Sequence, residues 1–264
     1  VRDSGSRYSR QKDQDFFSYF IDDVDVTDST NNYIRHIPLP PGDDFYIVNT
    51  NYQTNGRGQG TNKWESEKGQ NLLFSVKCSP YKVKASENFI LMQAISLAIC
   101  KTLRKILRNK KDVNIKWPND IYYKDKKICG TLTECTLRFG YVHEFIAGIG
   151  LNVNQLMFVS DAPNPVSMAA IKHCKFDRNN VLERIIEEIC RCFRFLCFDE
   201  GFMTIINEYN QCLYRREGFH KYIDANGGFE AKLSDIRPNG HIILERTDGT
   251  LSEYEFKEVK FVID

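Results

Sequence analysis

The stretch KWPND at residues 116–120 decides the fold of this chain, because it lies between two short apolar runs at 113–116 and 121–123. Proline, asparagine and aspartate are turn residues, so the stretch predicts a β-turn between two strands. A turn at the end of two strands also presents polar side chains where binding sites often form. Lys127 follows within the charged run 124–127 (KDKK), where a solvated lysine is the default interpretation, and Lys126 is its immediate neighbour.

Strand-like and helix-like segments alternate on both sides of this turn. Strands are predicted at 16–21, 45–49, 72–77, 128–135 and 144–149, and helices at 32–37, 86–107, 179–197 and 202–212. After residue 216, turn signals recur every 10 to 12 residues and predict a small antiparallel barrel or sheet. We therefore expect a flexible tail at 1–15, an α+β domain at 16–215 and a β domain at 216–264.

Composition excludes several classes of protein. The 264 residues carry a formal net charge of +1, with 42% hydrophobic and 27% charged residues, as in ordinary globular proteins. The charge balance gives no reason to expect binding to nucleic acid or to a membrane surface. The nine cysteines contain no C-x-x-C pair and the five histidines show no ligand spacing, so we predict reduced thiols, a cytoplasmic location and no protein-ligated metal.

Three further segments carry polar or glycine-rich patterns. DSTN at 28–31 would by itself be a helix cap, and GIGLNVN at 148–154 would be an ordinary strand end. Residues 52–66 contain Gly56, Gly58 and Gly60 but match neither a P-loop nor a Rossmann fingerprint. Taken alone, this segment is a flexible surface loop, or a loop whose backbone N–H groups approach a phosphate with Arg57 as a cation.

These four segments, in this order, resemble the biotin–protein ligase family. The family patterns are D-S-T-N, Q-x-x-G-R-G-R-x-G-R-x-W, K-W-P-N-D-x(6)-K-x-x-G-x-L-x-E and G-x-G-x-N, and the similarity covers roughly residues 16–155. The K-x-x-G spacing selects Lys127 over Lys126. The resemblance is closest to short ligases of the bacteroidete type, and it implies a class II synthetase-like mixed sheet flanked by helices, followed by a small SH3-like β-barrel.

The resemblance implies a two-step reaction. Biotin and Mg²⁺-ATP would form biotinyl-5′-AMP, an acyl-adenylate, and a lysine of a biotin carboxyl carrier domain would then accept the biotin. Lys127, Arg57 and Asp120 would be catalytic. Biotin would contact Ser29, Thr30, Asn31, Gln53, Gly56, Arg57, Gly58, Gln59, Lys127, Gly130 and Leu132. The adenylate would contact Arg57, Trp64, Lys116, Asn119, Lys127 and Asn152, with Trp64 either stacked on adenine or packed under the loop.

The loop departs from the family pattern, because it keeps one arginine of the usual three. Gln59 replaces the second, and residues 60–62 are Gly-Thr-Asn. Two alternatives stay open, a lipoate- or octanoyl-transferring relative and a paralogue that binds biotin or a carrier protein without ligation. We expect no DNA-binding domain in the polar residues before 16. Family members are monomers or homodimers, and the sequence does not select between them.

Overall fold

An eight-stranded mixed sheet forms the centre of the protein in the computed structural model, which describes residues 7–12, 17–80, 82–159, 164–198 and 200–263. Its strand order is β1-β2-β3-β4-β8-β7-β6-β5, and β2 and β3 form its parallel pair. The strands are β1 (Arg7–Lys12), β2 (Ser18–Thr27), β3 (Phe45–Gln53), β4 (Leu72–Cys78), β5 (Val113–Lys116), β6 (Asp120–Tyr123), β7 (Lys126–Arg138) and β8 (Tyr141–Leu151). The predicted α+β fold with a mixed sheet is confirmed.

Helices cover the two faces of this sheet unequally. They are α1 (Thr30–Arg35), α2 (Phe89–Ile106), α3 (Met168–Lys172), α4 (Arg178–Phe195) and α5 (Gly201–Gln211). Helix α2 is buried nearly all round, as its apolar first half predicts. Helix α4 begins where predicted, because the Asp177 carboxylate accepts hydrogen bonds from the amides of Asn179 and Asn180.

Strand alternation separates a large core from a smaller one. On β8, Phe145, Ala147 and Ile149 join the large core with α2 and α4, whereas Ile146 faces the small core beneath α1. Gly148 and Gly150 lie two and four residues after Ile146 on the same strand, so they are on the same face of the sheet, the α1 face. Among the described residues, the short helix α1 is what covers that face in this region, which leaves room for a site on the sheet itself.

A second, five-stranded antiparallel sheet follows residue 216, as the turn spacing predicts. It contains β9 (His220–Asp224), β10 (Gly227–Ile236), β11 (Ile242–Arg246), β12 (Leu251–Tyr254) and β13 (Lys260–Phe261), in the order β12-β11-β10-β9-β13. The turn KWPND joins the two sheets, because Trp117 Nε1 donates to the Gly240 carbonyl at 2.9 Å and its ring lies beside Phe256.

The structure differs from the sequence-based expectation at three places. The segment at 1–15, predicted to be a flexible tail, contains strand β1, which pairs with β2. The pairing supplies hydrogen-bond partners for the backbone of this polar segment. Residues 1–6 and 13–16 lie outside the described residues. Helix α1 has Ser29 as its N-cap, but the Ser29 side chain makes no capping bond. Helix α3 and strand β9 were not predicted, because each spans only five residues.

In the described part of the chain, no helix combines the length and hydrophobicity needed to cross a bilayer. The nine cysteines, all of which lie in the described ranges, form no disulfide, and six of them are buried.

Candidate active site

Two paired glycines form a flat floor on the α1 face of the sheet. Gly130 on β7 lies opposite Gly150 on β8, and the indole of Trp64 rests on both. A Cβ atom on Gly150 would lie 2.4 Å from Trp64 Cε2, and one on Gly130 would lie 2.9 Å from Cζ3. Both positions therefore require glycine for this packing, and Trp64 packs beneath the loop rather than projecting freely.

Lys127 and Asp120 form an ion pair beside this floor. The hairpin of β6 and β7 brings Lys127 Nζ to 2.7 Å from Asp120 Oδ2, and each side chain is about a quarter exposed. The same ammonium lies 5.8 Å from the centre of the Trp64 ring. A lysine and a carboxylate at the end of a glycine floor can neutralise an anion and accept a proton, respectively.

Lys116 places a second cation close to Asp120. Lys116 pairs with Asp120 across β5 and β6, and its ammonium lies over the rings of Tyr122 and Phe261 at 5.3 and 5.0 Å. Burial lowers the pKa of Lys116; Asp120 opposes that shift and Lys127 adds to it. Since Lys116 contacts the second sheet, its position fits stabilisation of the turn more directly than contact with a nucleotide.

Asn119 also holds the turn in place. Its Nδ2 donates to the Thr131 carbonyl at 2.9 Å, and the Thr131 hydroxyl donates to the Asn119 carbonyl at 3.2 Å. This reciprocal pair ties KWPND to β7. Asn119 thus orients Asp120, its neighbour in the chain, toward Lys127.

The buried N-terminal turn of α1 forms the other end of the site. The amide and hydroxyl of Thr30 both donate to Gln53 Oε1, at 2.8 and 3.1 Å, and Ser29, Thr30 and Asn31 are each at most 3% exposed. A Cβ atom on Gly148 would lie 2.3 Å from Asn31 Oδ1. Three adjacent polar residues are therefore packed against the sheet, where they offer donors and acceptors in a dry environment.

Glu134 connects this end to the loop. Its Oε1 accepts from Asn31 Nδ2 at 3.3 Å and from Arg57 Nη1 at 3.1 Å, and its Oε2 accepts from Arg35. Partial burial opposes ionisation of Glu134, but these hydrogen bonds and the two positive charges outweigh it, so the pKa of Glu134 lies below its ordinary value. Arg57 also donates to Asn32 Oδ1 at 2.8 Å.

The predicted trio of Arg57, Lys127 and Asp120 is thus only partly assembled. The structure brings Lys127 and Asp120 together, whereas the contacts of Arg57 are with Asn32 and Glu134 at the α1 end. Gly130 and Glu134 are four residues apart on β7, about 13 Å at the usual rise of a strand. Two charged clusters therefore face each other along a slot whose floor is β7 and β8.

The loop after Gly56 closes on itself as a narrow hairpin. The Trp64 amide donates to the Gly56 carbonyl at 3.0 Å, and the Gly58 amide donates to the Asn62 carbonyl at 2.8 Å. A Cβ atom on Gly56 would lie 2.7 Å from the Trp64 carbonyl oxygen. Gly56 therefore lets the two arms of the loop approach, with Arg57 on one arm and Trp64 on the other.

Two buried polar atoms near Trp64 have no hydrogen-bond partner within the described residues. They are Trp64 Nε1 and Asn152 Oδ1, a donor and an acceptor. Asn152 lies two residues after Gly150, in step with Gly148 and Gly150 along the chain. Its Nδ2 donates to the Val166 carbonyl at 3.3 Å. Buried polar groups are normally satisfied, so these atoms identify a place where a polar ligand would supply the missing partners.

Gln155 links the chain after Trp64 to the chain after Asn152. Its Oε1 accepts from the Glu67 amide at 3.0 Å and from Asn71 Nδ2 at 2.6 Å. Its Nε2 lies 3.5 Å from Glu65 Oε1, and the same Glu65 oxygen accepts from the Val159 amide at 2.9 Å. The segments on both sides of the two unpartnered atoms are therefore fastened to each other.

An open groove runs along the edge of β7 beside the slot. Its volume is about 390 Å³, and it lies between residues 131–135 of β7, the start of α2 and the second sheet. Leu132 and Glu134 line both the groove and the slot, and Gln59 lies at its rim. The Leu132 carbonyl accepts from Asn31 Nδ2 at 3.2 Å.

Sequence reasoning did not assign roles to Glu134, Gly148, Gly150 or Gln155. The G-x-G spacing on a predicted strand was a usable signal, since residues two apart share a face and indicate a flat floor. No local pattern announces Gln155, because its partners lie about 84 to 90 residues away. Among the described residues, no group of three or more His, Cys, Asp or Glu side chains could hold a metal ion.

Comparison with known proteins finds a family and several relatives that are similar to the segment containing this site. The sequence model of the biotin/lipoate A/B protein ligase family matches residues 24–152. The bifunctional ligase/repressor BirA of Escherichia coli is 32% identical over 170 residues, which cover 62% of this chain and 50% of the relative. The bifunctional ligase/repressor BirA of Bacillus subtilis is 27% identical over 244 residues, which cover 87% of this chain and 70% of the relative. The chain thus spans about half the length of the first of these relatives.

A solved structure agrees with the fold. The biotin protein ligase of Aquifex aeolicus in complex with biotin and ATP superposes with a TM-score of 0.74 at 22% identity, covering 92% of this chain and 99% of that one. The matched residues 24–152 include the glycine floor, the Lys127–Asp120 pair and the first turn of α1. Residues 24–152, which hold this site, are therefore the part of the chain that is similar to the biotin/lipoate A/B protein ligase family.

Proposed function

We propose that this chain is an ATP-dependent biotin–protein ligase. It forms biotinyl-5′-AMP from biotin and ATP and transfers the biotin to a lysine of a biotin carboxyl carrier domain. The observation that carries the proposal is the ion pair of Lys127 and Asp120 at 2.7 Å, placed beside a floor that admits no side chain at Gly130 or Gly150. The names of the relatives support it, since several are biotin–protein ligases.

The first step needs cations, because a carboxylate must attack the α-phosphate of ATP. The new bond joins the biotin carboxylate oxygen to that phosphorus, and pyrophosphate leaves. Lys127 neutralises charge at the reacting end, and Arg57 supplies a second cation from the α1 end of the slot. Mg²⁺ enters with ATP as part of the substrate complex, held mainly by the phosphates.

The second step needs an amine without its proton. The carrier lysine attacks the carbonyl carbon of the mixed anhydride, AMP leaves and one proton must be accepted. When the phosphate attracts Lys127, the carboxylate of Asp120 loses its partner and becomes available to the incoming ammonium group. The groove along β7 is the proposed route for that lysine.

The biotin head belongs at the α1 end. A ureido group has two N–H donors and one carbonyl acceptor, which suits the hydroxyls of Ser29 and Thr30 and the amide of Gln53. The proposed biotin contacts continue along the slot through Asn31, Gly56, Arg57, Gly58, Gln59, Leu132, Gly130 and Lys127. The adenylate belongs near Trp64 and Asn152, where the unpartnered donor and acceptor lie, while Lys116 and Asn119 support this end through the turn.

A cytoplasmic location belongs to the same proposal, because the reaction consumes ATP. The loop keeps one arginine, so retention of the adenylate depends on the closure of Trp64 and the segment fastened by Gln155.

The test separates the two steps. Purified protein is given biotin, Mg²⁺-ATP and labelled pyrophosphate, and the exchange of label into ATP measures adenylate formation; a purified carrier domain is then added and biotinylation is detected with streptavidin. We expect both activities. Lys127→Ala should abolish adenylate formation, measured in a single turnover. Absence of exchange in the unmodified protein would contradict the proposal, and unchanged exchange in Lys127→Ala would remove Lys127 from the mechanism.

Calorimetric titration distinguishes the alternatives. Binding of biotin with no detectable binding of lipoate supports the proposed substrate, whereas the reverse indicates a lipoate-transferring enzyme. Binding of biotin without any exchange would indicate the paralogue that does not ligate.

A further inference from the structure

We infer that Lys77 is a positioning residue for the biotin head, through its hold on the C-terminal end of α1. This inference rests on the proposed function. Lys77 is a lysine on β4 that is only 2% exposed, and no step of the proposed reaction uses it. A charged side chain is rarely buried to that degree without specific partners, because removing the ammonium from water is costly.

The partners of Lys77 are carbonyl groups where α1 ends. Its Nζ donates to the Ile37 carbonyl at 2.9 Å and lies 3.4 Å from the Arg35 carbonyl, and Glu144 Oε1 neutralises the charge at 2.8 Å. The last carbonyls of a helix lack partners within the helix, and a cation at that end is favourable. Lys77 therefore acts as a side-chain cap supplied from the sheet.

The same strand holds the other end of the helix. Ser75, two residues before Lys77 and on the same face of β4, places its hydroxyl 2.7 Å from both Thr30 Oγ1 and Asn31 Oδ1. Helix α1 contains only six residues, too few to be stable alone, so its position depends on these contacts and on the small core beneath it. Strand β4 therefore contacts α1 at both ends, through Ser75 and Lys77.

The position of α1 determines the geometry of the head pocket. Thr30 donates to Gln53 through both its amide and hydroxyl, and Asn31 lies against Gly148 with no space to spare. Releasing the C-terminal end of the helix would let it tilt about Ser75, which misaligns Ser29 and Thr30. The Lys127–Asp120 pair belongs to the β6–β7 hairpin rather than to α1, so the reacting end of the slot should be spared.

The experiment compares Michaelis constants in the pyrophosphate-exchange assay. Lys77→Met retains the length and apolar body of the side chain but removes the cap. We expect the KM for biotin to rise about tenfold, which is the order of magnitude for a lost hydrogen bond to a charged group, with the KM for ATP within about twofold of the unmodified protein. Lys77→Arg should recover most of the biotin affinity.

The matched control is Lys101→Met. Lys101 is partly buried and, like Lys77, forms an ion pair, in this case with Glu208. It lies on α2, which packs on the opposite side of the sheet. We expect this variant to leave both constants unchanged even where it lowers thermal stability. If Lys77→Met is insoluble, Glu144→Gln, which weakens the hold on Lys77, provides the test and should raise only the KM for biotin.

The result that overturns the inference is also defined. An unchanged KM for biotin in the soluble variants, or an equal rise in both constants, would mean that Lys77 serves only general stability. Absence of exchange in the unmodified protein would instead contradict the proposed function, so the two failures are distinguishable.

Discussion

Substituting alanine for Gly150 tests the glycine floor most directly. The added Cβ would lie 2.4 Å from Trp64 Cε2 and 2.6 Å from Nε1. Carbon atoms in contact are about 3.5 Å apart or more, so the indole must retreat by about 1 Å. Because the sheet lies on one side of the ring, the retreat carries the indole into the slot, where the adenylate is proposed to bind.

The magnitude follows from the cost of overpacking. Extra volume in a packed site typically costs about 1–3 kcal/mol, which corresponds to a roughly 5- to 150-fold loss of affinity. We therefore expect Gly150→Ala to raise the KM for ATP by that range in the pyrophosphate-exchange assay.

Fluorescence provides a second measurement. The chain contains two tryptophans, and Trp117 is only 5% exposed at the junction of the two sheets. A shift of emission to longer wavelength in Gly150→Ala can therefore be assigned to Trp64.

The matched control is Gly228→Ala on β10, where the nearest atom to an added Cβ is 3.9 Å away. This variant should behave like the unmodified protein in both measurements. If Gly150→Ala retains both its KM for ATP and its emission spectrum within experimental error, the packing argument is wrong.

Three further predictions concern individual side chains. Asp120→Asn should slow transfer to the carrier by about 100-fold or more while leaving adenylate formation within about tenfold, since an amide cannot accept the proton; single-turnover measurement of each step checks this, and equal losses would contradict it. Gln155→Leu should expose the loop to trypsin, because it removes the bonds to the Glu67 amide and the Glu65 carboxylate; unchanged digestion would show that the loop does not depend on them. Glu134 has a pKa below its ordinary value of 4.5, so its contribution to stability is complete above that value and is lost as the pH falls through the lower folded-state pKa. The difference in Tm between the unmodified protein and Glu134→Gln should therefore shrink as the pH falls below 4.5, and a constant difference would refute the assignment.

Local patterns predicted most of the secondary structure because their information is contained within a few residues. The 3.6-residue period and the Asp177 cap located α4, and the turn signals located the second sheet. Short elements such as α3 carry too few residues to show a period. Strand β1 has a polar sequence, and its pairing with β2 depends on backbone hydrogen bonds that no side-chain pattern reveals.

The amino-acid sequence by itself determined the α+β class, the separate C-terminal β segment, and which residue types meet at the site. It could not determine which of them touch. Only the tertiary structure shows that Lys127 pairs with Asp120 and that Arg57 pairs with Glu134. It also shows that Trp64 packs on Gly130 and Gly150 and that Lys77 is buried at the end of α1. The physical reason is that these contacts cross strands far apart in the chain, so they depend on sheet register and packing rather than on neighbouring residues.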